Sequence, residues 1–253
     1  MDEKISAAKV AERLSRCGCP LLTFRFEEVD STNSEAKRQI KNGNRQPMLL
    51  IAETQTAGRG RMGRSFYSPP RTGLYMSLKL PGEMIRNELL TVSAAVAVAV
   101  SIEELSGKAT AIKWVNDIYM DGRKVAGILA EAVHEAKSDF VIGIGINVTT
   151  EEFPPELQAS AGAVQAEISR EDLIVAITSR LMGYLRSVDR EELLREYRAR
   201  SMLLGQEITY YKNGEAMHAA ALAITNDGGL LVRGVDGREE TLIAGEVSLH
   251  KPE

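Results

Sequence analysis

The chain has 253 residues, of which 44% are hydrophobic and 26% charged, which is enough for a packed globular core and excludes a disordered or fibrous protein. A formal net charge of −4 argues against a dedicated nucleic-acid-binding protein, whose footprint would be basic, so a local cluster of arginines carries meaning here. Cys17 and Cys19, one glycine apart, are too close for a comfortable disulfide and lack the second pair of a zinc site. The start Met1-Asp2-Glu3-Lys4 has no apolar signal core, and Val92 to Val100 is too short to span a bilayer; together these point to a cytoplasmic protein with reduced thiols.

Residues 4 to 16 place apolar and charged positions at helical spacing, and Gly18 and Pro20 stop that helix. Val29 to Glu35 reads as a strand running into a helix, with Thr32 and Glu35 at capping-box spacing and Asn42-Gly43 as the stop. Met48 to Glu53 predicts a buried strand feeding Gly58-Arg59-Gly60-Arg61-Met62-Gly63-Arg64-Ser65. Glycines let the backbone approach a ligand, guanidinium groups are permanently charged forks for phosphate or carboxylate, and no acidic residue occurs from Thr54 to Gly82. The stretch reads as an anion-handling loop. It satisfies G-x-G-x-x-G and nearly matches the P-loop pattern, but both need a helix to begin at the loop, and Ser65-Phe66-Tyr67-Ser68-Pro69-Pro70 cannot start one.

Leu74, Met76, Leu78 and Leu80 alternate with Tyr75, Ser77 and Lys79, the period of a half-buried strand, and residues 87 to 106 form an Ala/Val-rich helix that Gly107 ends. A hairpin follows: Ala111 to Val115, a turn at Asn116-Asp117, Ile118 to Met120, then a turn at Asp121-Gly122 that leaves Lys124 at the start of a buried strand. In Phe140 to Val148, Gly143 and Gly145 predict close approach by another backbone or a ligand. Helical pattern runs from Glu171 to about Arg200. Beyond Gly205, five short candidate strands punctuated by Asn213-Gly214, Asn226 to Gly229 and Asp236-Gly237 suggest a small barrel, with a boundary near Ser201. Core packing is the expectation for Trp114, and His134 and His218 have no partners at catalytic or metal spacing.

Asp30-Ser31-Thr32-Asn33, the segment Glu53 to Arg64, Lys113-Trp114-Val115-Asn116-Asp117 and Lys124 to Leu129 occur in the order and spacing of biotin protein ligases, which the chain resembles from about residue 27 to its end. The resemblance implies an α/β (α+β) fold: a mixed-sheet catalytic domain over 27–200, preceded by a short helical lead over 1–26 and followed by an SH3-like β-barrel over 201–253. It also implies a two-step reaction. Biotin and ATP, with Mg²⁺, give biotinyl-5′-adenylate and pyrophosphate, and the biotinyl group then passes to one lysine of a carboxylase's biotin carboxyl carrier domain. Lys124 looks like the residue that contacts the biotin carboxylate and α-phosphate, with Arg61 the phosphate clamp and the two together catalytic. Arg59 and Gly60 resemble loop residues that close over the bound acid, while Ser31, Thr32, Asn33 and Gln55 offer neutral polar groups for biotin. Arg61, Arg64, Phe66, Asn116 and Asp117 fall on the nucleotide side, and Asp117 is the candidate Mg²⁺ ligand. Capping of a helix is an equally good reading of Ser31 and Thr32, and both roles can hold together.

The sequence departs from the family pattern in three places. Only 29 residues precede Asp30, too few for the winged helix-turn-helix of long-form members, so the chain resembles the short form and DNA binding is not expected. Val115 replaces a proline. His250 stands where related enzymes often have an arginine reaching toward ATP, which leaves open what the barrel contributes to nucleotide binding. No membrane partner is expected, and sheet-edge pairing to a homodimer is a habit of the family. The alternatives are a lipoate protein ligase, which shares the adenylate chemistry, and a non-catalytic biotin sensor, which would need an output domain. A nicotinamide-dependent oxidoreductase rests on G-x-G-x-x-G alone.

Overall fold

The computed structural model describes residues 4–85, 88–134, 138–187, 189–212 and 214–250; Met1 to Glu3, Asn87 and Asn213, named above, lie outside them. Helix α1 (Ala7–Arg16) begins at Ser6, whose hydroxyl accepts from the Lys9 amide, and stops before Gly18, at φ 72°. Strand β1 (Leu22–Val29), helix α2 (Thr32–Lys41) and strand β2 (Met48–Gln55) form a parallel crossover. Strand β3 (Gly73–Pro81) and helix α3 (Leu90–Ser106) come next, with Gly107 left-handed at the end of α3, as its sequence position predicts. Strands β4 (Ala111–Lys113), β5 (Asp117–Met120), β6 (Arg123–His134) and β7 (Ser138–Asn147) complete a seven-stranded mixed sheet of order β1-β2-β3-β7-β6-β5-β4. Helices α4 (Arg170–Arg186) and α5 (Arg190–Ala199) follow. A five-stranded antiparallel sheet then forms from β8 (Glu207–Lys212), β9 (Glu215–Ile224), β10 (Leu230–Gly234), β11 (Glu239–Leu242) and β12 (Val247–Leu249).

The two faces of the large sheet are covered unequally, and that inequality makes room for a site. Leu49, Ile51, Leu74, Met76, Leu78 and Leu80 join the apolar residues of α3 and α4 in the main core. On the opposite face Met48, Leu50 and Val141 pack with Ala36 and Ile40 of α2, a helix of 10 residues that covers part of the sheet, and with the partly buried Phe26 and Val133. Residues past the reach of α2 on this face stay available. Among the described residues no helix is long and apolar enough to cross a membrane.

Several expectations need correction. β3 is buried at every position, not half-buried: its second face carries Tyr75 and Ser77 under the site and Lys79 beneath the 42–47 turn, where the Lys79 ammonium donates to Gln46 O at 3.0 Å and burial lowers its pKa. The Thr32/Glu35 capping box does not form. Ser31 is the N-cap residue and makes no side-chain cap bond, because the Thr32 amide and hydroxyl are drawn to Gln55 Oε1, at 2.9 and 3.2 Å. The first hairpin turns at 114–116, so Asp117 already belongs to β5. The Trp114–Val115 peptide is cis, and Tyr197 Oη donates to Val115 O at 3.2 Å. The helical stretch after Glu171 is two helices, the second capped by Asp189, which accepts from the amides of Glu191 and Glu192. β1 takes in the last residues of the 1–26 lead.

Candidate active site

The Arg/Gly segment leaves β2 and folds back on itself. Arg59 bridges to Ser65, the Gly60 amide donates to Arg64 O at 2.7 Å, and the Phe66 amide donates to Gly58 O at 2.9 Å. Met62 at φ 53° and Gly63 at φ 76° make the turn, and an extended chain follows instead of a helix. This geometry removes both the dinucleotide and the P-loop readings, because neither can place a helix N-terminus on a phosphate. Below the loop lie the two glycines of β7. A Cβ on Gly145 would fall 2.6 Å from the Phe66 ring, and one on Gly143 would fall 2.1 Å from Asn33 Oδ1. The close approach predicted at these glycines is therefore made by side chains of the same protein, which lower Phe66 and Asn33 onto the sheet.

One end of the cleft is neutral and polar. Gln55 Nε2 donates to Ser68 Oγ at 2.9 Å while its carbonyl holds Thr32. Ser77 Oγ lies 2.6 Å from Asn33 Oδ1 and 2.7 Å from Thr32 Oγ1. Asn33 Nδ2 donates to Glu131 Oε2 at 2.9 Å. Burial raises the pKa of Glu131, but hydrogen bonds from Lys37 and Asn33 outweigh it, so the carboxyl titrates below its ordinary range and stays ionised as their acceptor. Each amide is thus fixed in orientation by its hydrogen-bond partners, and Ser31, which makes no cap bond, lines the cleft beside them.

The other end is charged. Arg61 Nη1 donates to Asn116 Oδ1 at 2.8 Å, Asn116 Nδ2 donates to Asp117 Oδ1 at 2.8 Å, and the same oxygen lies 2.7 Å from Lys124 Nζ. This chain of contacts joins the loop, the 114–116 turn and β6. The Lys124 backbone is pinned as well: its amide donates to Ser160 O, and its carbonyl accepts from Gly162 N, each at 2.9 Å. Arg64 pairs with Glu246, which the C-terminal sheet brings to the rim, and Arg59 lies 3.9 Å from Glu131. Five cationic side chains face the cleft, Arg59, Arg61, Arg64, Lys113 and Lys124, against two carboxylates, Asp117 and Glu246. Such an excess suits a polyanion. Among the described residues no three His, Cys, Asp or Glu side chains gather as a metal cage. Mg²⁺ commonly takes one or two carboxylates and completes its shell with phosphates and water, and the second oxygen of Asp117 fits that use.

All of the residues singled out in the sequence, Ser31, Thr32, Asn33, Gln55, Arg59, Gly60, Arg61, Arg64, Phe66, Asn116, Asp117 and Lys124, line this one cleft. Phe66 sits on the sheet under the loop, edge-on to Tyr75 with ring centroids 6.4 Å apart. Trp114 is buried, as expected of core, and its indole donates to Gly228 O of the C-terminal sheet at 2.9 Å. His250 does not face the cleft; its ring meets His218 at 4.6 Å between centroids, and both imidazoles reach Thr209 Oγ1. The C-terminal sheet reaches the cleft instead through Tyr211 and Gly245 to Ser248. Sequence reasoning missed Lys113, Ser77, Tyr211 and Glu246. Lys113 stood inside a quoted motif, whereas the others carry no local signal.

Residues 25–147 match the Biotin/lipoate A/B protein ligase family and residues 203–250 the Biotin protein ligase C terminal domain, which is SH3-like. The biotin--[acetyl-CoA-carboxylase] ligase of Mycobacterium tuberculosis is 30% identical over 233 residues, covering 87% of this chain and 86% of that one. The bifunctional ligase/repressor BirA of Bacillus subtilis is 41% identical over 140 residues, which is 53% of this chain and 43% of the relative's own length. Among solved structures, the biotin protein ligase of Aquifex aeolicus in complex with biotin and ATP superposes with a TM-score of 0.77 at 26% identity, covering 91% of this chain and 99% of that one. Motif order, the shape of the cleft and similarity over most of the chain's length agree, and the chain belongs to the biotin protein ligase family, a family of ligase enzymes.

Proposed function

We propose that the protein joins biotin to ATP as biotinyl-5′-adenylate and transfers the biotinyl group to a lysine of a biotin carboxyl carrier domain. The observation that carries this reading is the division of one cleft into a neutral polar end, Ser31, Thr32, Asn33 and Gln55, and a cationic end, with Lys124 reaching over Gly127 beside Phe66. The ureido ring of biotin suits fixed amides and hydroxyls. Its carboxylate and the α-phosphate are both anionic, so they come together only where cations lie between them, which is the work of Lys124 and Arg61. Asn116 and Asp117 orient those two cations, and Arg59 and Gly60 cover the acid while Arg64 and Phe66 face the nucleotide. Mg²⁺, bound with ATP, would be held by Asp117 and would neutralise phosphate charge.

At the mouth of the cleft the carrier lysine, as its neutral amine, then attacks the carbonyl carbon of the mixed anhydride; the bond from that carbon to the phosphate oxygen breaks, AMP leaves, and the amine's extra proton passes to solvent as the amide forms. Mass spectrometry of a carrier domain after incubation with biotin, ATP and Mg²⁺ tests the reading. A biotinyl adduct on one lysine is the expected result. An adduct formed with lipoate and not with biotin reassigns the acid, and none with either removes the transfer step.

A further inference from the structure

Of the five cations facing the cleft, four have polar partners: Lys124 on Asp117, Arg61 on Asn116, Arg64 on Glu246 and Arg59 near Glu131. Lys113 differs. Among the described residues its ammonium makes no hydrogen bond or ion pair, and it lies over the face of Tyr119, 5.8 Å from the ring centroid. Lys113 ends β4 and lies opposite Asp117 in the register with β5, the strand that separates it from Lys124 on β6. Burial lowers its pKa, and the charges acting on it are Asp117, Lys124, Glu246 and Arg64, which places it toward the rim formed with the C-terminal sheet. A half-buried ammonium with no acceptor costs free energy, and the cost is recovered when a ligand supplies oxygens.

We propose that Lys113 is the anchor of the pyrophosphate leaving group, binding the β- and γ-phosphates of ATP near the Arg64–Glu246 pair while Lys124 serves the acid and the α-phosphate. This rests on the adenylation proposed above. In that step a carboxylate oxygen of the acid forms a bond to Pα, the bond from Pα to the bridging oxygen of Pβ breaks, and its electron pair leaves on pyrophosphate. No proton has to move. Negative charge grows on the departing oxygen, and a cation already facing it, with no competing partner to release, stabilises that charge from the start. The adenylate that remains carries no β- or γ-phosphate, so Lys113 has no contact to make in the transfer step.

The test compares wild type with Lys113→Met, which keeps length and loses charge, and Lys113→Arg, which restores charge. Calorimetric titration with ATP, pyrophosphate, AMP and a non-hydrolysable sulfamoyl analogue of biotinyl-adenylate separates the two ends of the cleft. Loss of a charge-assisted phosphate contact predicts that Lys113→Met binds ATP and pyrophosphate about tenfold or more weakly, binds AMP and the analogue within about twofold of wild type, and that Lys113→Arg recovers most of the loss. Unchanged affinity for ATP and pyrophosphate overturns the proposal, and so does an equal loss for all four ligands, which would mark Lys113 as structural. The pyrophosphate titration does not depend on which acid is activated. A wild-type protein that binds pyrophosphate but releases none from ATP in the presence of biotin would sink the ligase reading and leave the Lys113 result standing by itself.

Discussion

Lys124 shows how much a single side chain depends on what surrounds it. Its charge is useful only if the ammonium points along the cleft, and three constraints aim it there: the Asp117 carboxylate at 2.7 Å, the backbone bonds to Ser160 and Gly162, and its place as the second residue of β6, just past the Asp121-Gly122 turn. The side chain itself is 33% exposed, so its removal leaves the core intact. Lys124→Ala is therefore expected to slow biotin-dependent release of pyrophosphate on the order of 10²-fold or more, the scale of losing one charge-stabilising donor, with little change in melting temperature. Adenylation at the wild-type rate would remove Lys124 from the chemistry.

At the scale of elements, the Arg/Gly loop and the Glu53 cluster make opposite uses of arginine. The loop holds Arg64 and Arg59 at the surface, 70% and 50% exposed, and its arginines reach the rest of the protein through side-chain contacts such as Arg61 on Asn116 and Arg64 on Glu246. Limited proteolysis within residues 58–66 should decline when biotin and ATP are added together, since only the joined ligand spans both ends of the cleft. Equal cutting with and without ligands would rule out closure. Glu53, at the end of β2, instead sits at 1% exposure and accepts from Arg170 Nη1 at 2.7 Å, Arg25 Nε at 3.0 Å and the Ile5 amide at 3.0 Å, tying α4, β1 and the N-terminal lead together. Burial raises its pKa, the hydrogen bonds from Arg170, the Ile5 amide and Arg25 outweigh that effect, and the net shift is downward. A carboxyl with a depressed folded pKa stabilises the fold above the unfolded glutamate range and loses that contribution as pH falls through the folded value. Glu53→Gln should cost about 3 kcal/mol at neutral pH, as breaking a buried pair does, and the gap to wild type should narrow in acid. Denaturant titrations at both pH values measure it; a gap that does not change with pH would mean the charge is irrelevant.

Across the whole molecule, the C-terminal sheet is joined to the body at the site itself. Trp114 donates to Gly228 O two residues before Asn116, and Arg64 reaches Glu246 from the loop. Trp114→Phe keeps an aromatic ring but loses both the indole donor and the second ring of a buried side chain, which should lower stability by about 1–3 kcal/mol and weaken ATP binding with it. Chemical denaturation beside calorimetry checks both, and an unchanged midpoint would show that the indole bond carries no weight.

The sequence by itself determined the parts that depend on short-range chemistry. Local periodicity gave the strands and helices, left-handed positions such as Gly18, Gly107 and Gly122 ended them where expected, and the motifs named twelve residues that meet in one cleft. Adjacent residues speak through spacing, so a loop of glycines and arginines with no helix after it is legible on its own. The tertiary structure decided what depends on surfaces meeting. Whether β3 is buried on one face or two depends on α2 and the site lying over it. Thr32 abandons helix capping because Gln55, from another strand, is closer to its amide and hydroxyl. Glu246 and Tyr211 belong to the cleft because a second sheet docks beside the loop, and among the described residues Lys113 makes no hydrogen bond or ion pair, the nearby carboxylates Asp117 and Glu246 being paired with Lys124 and Arg64. Such outcomes are competitions between groups far apart in the chain, and only the folded geometry names the winner.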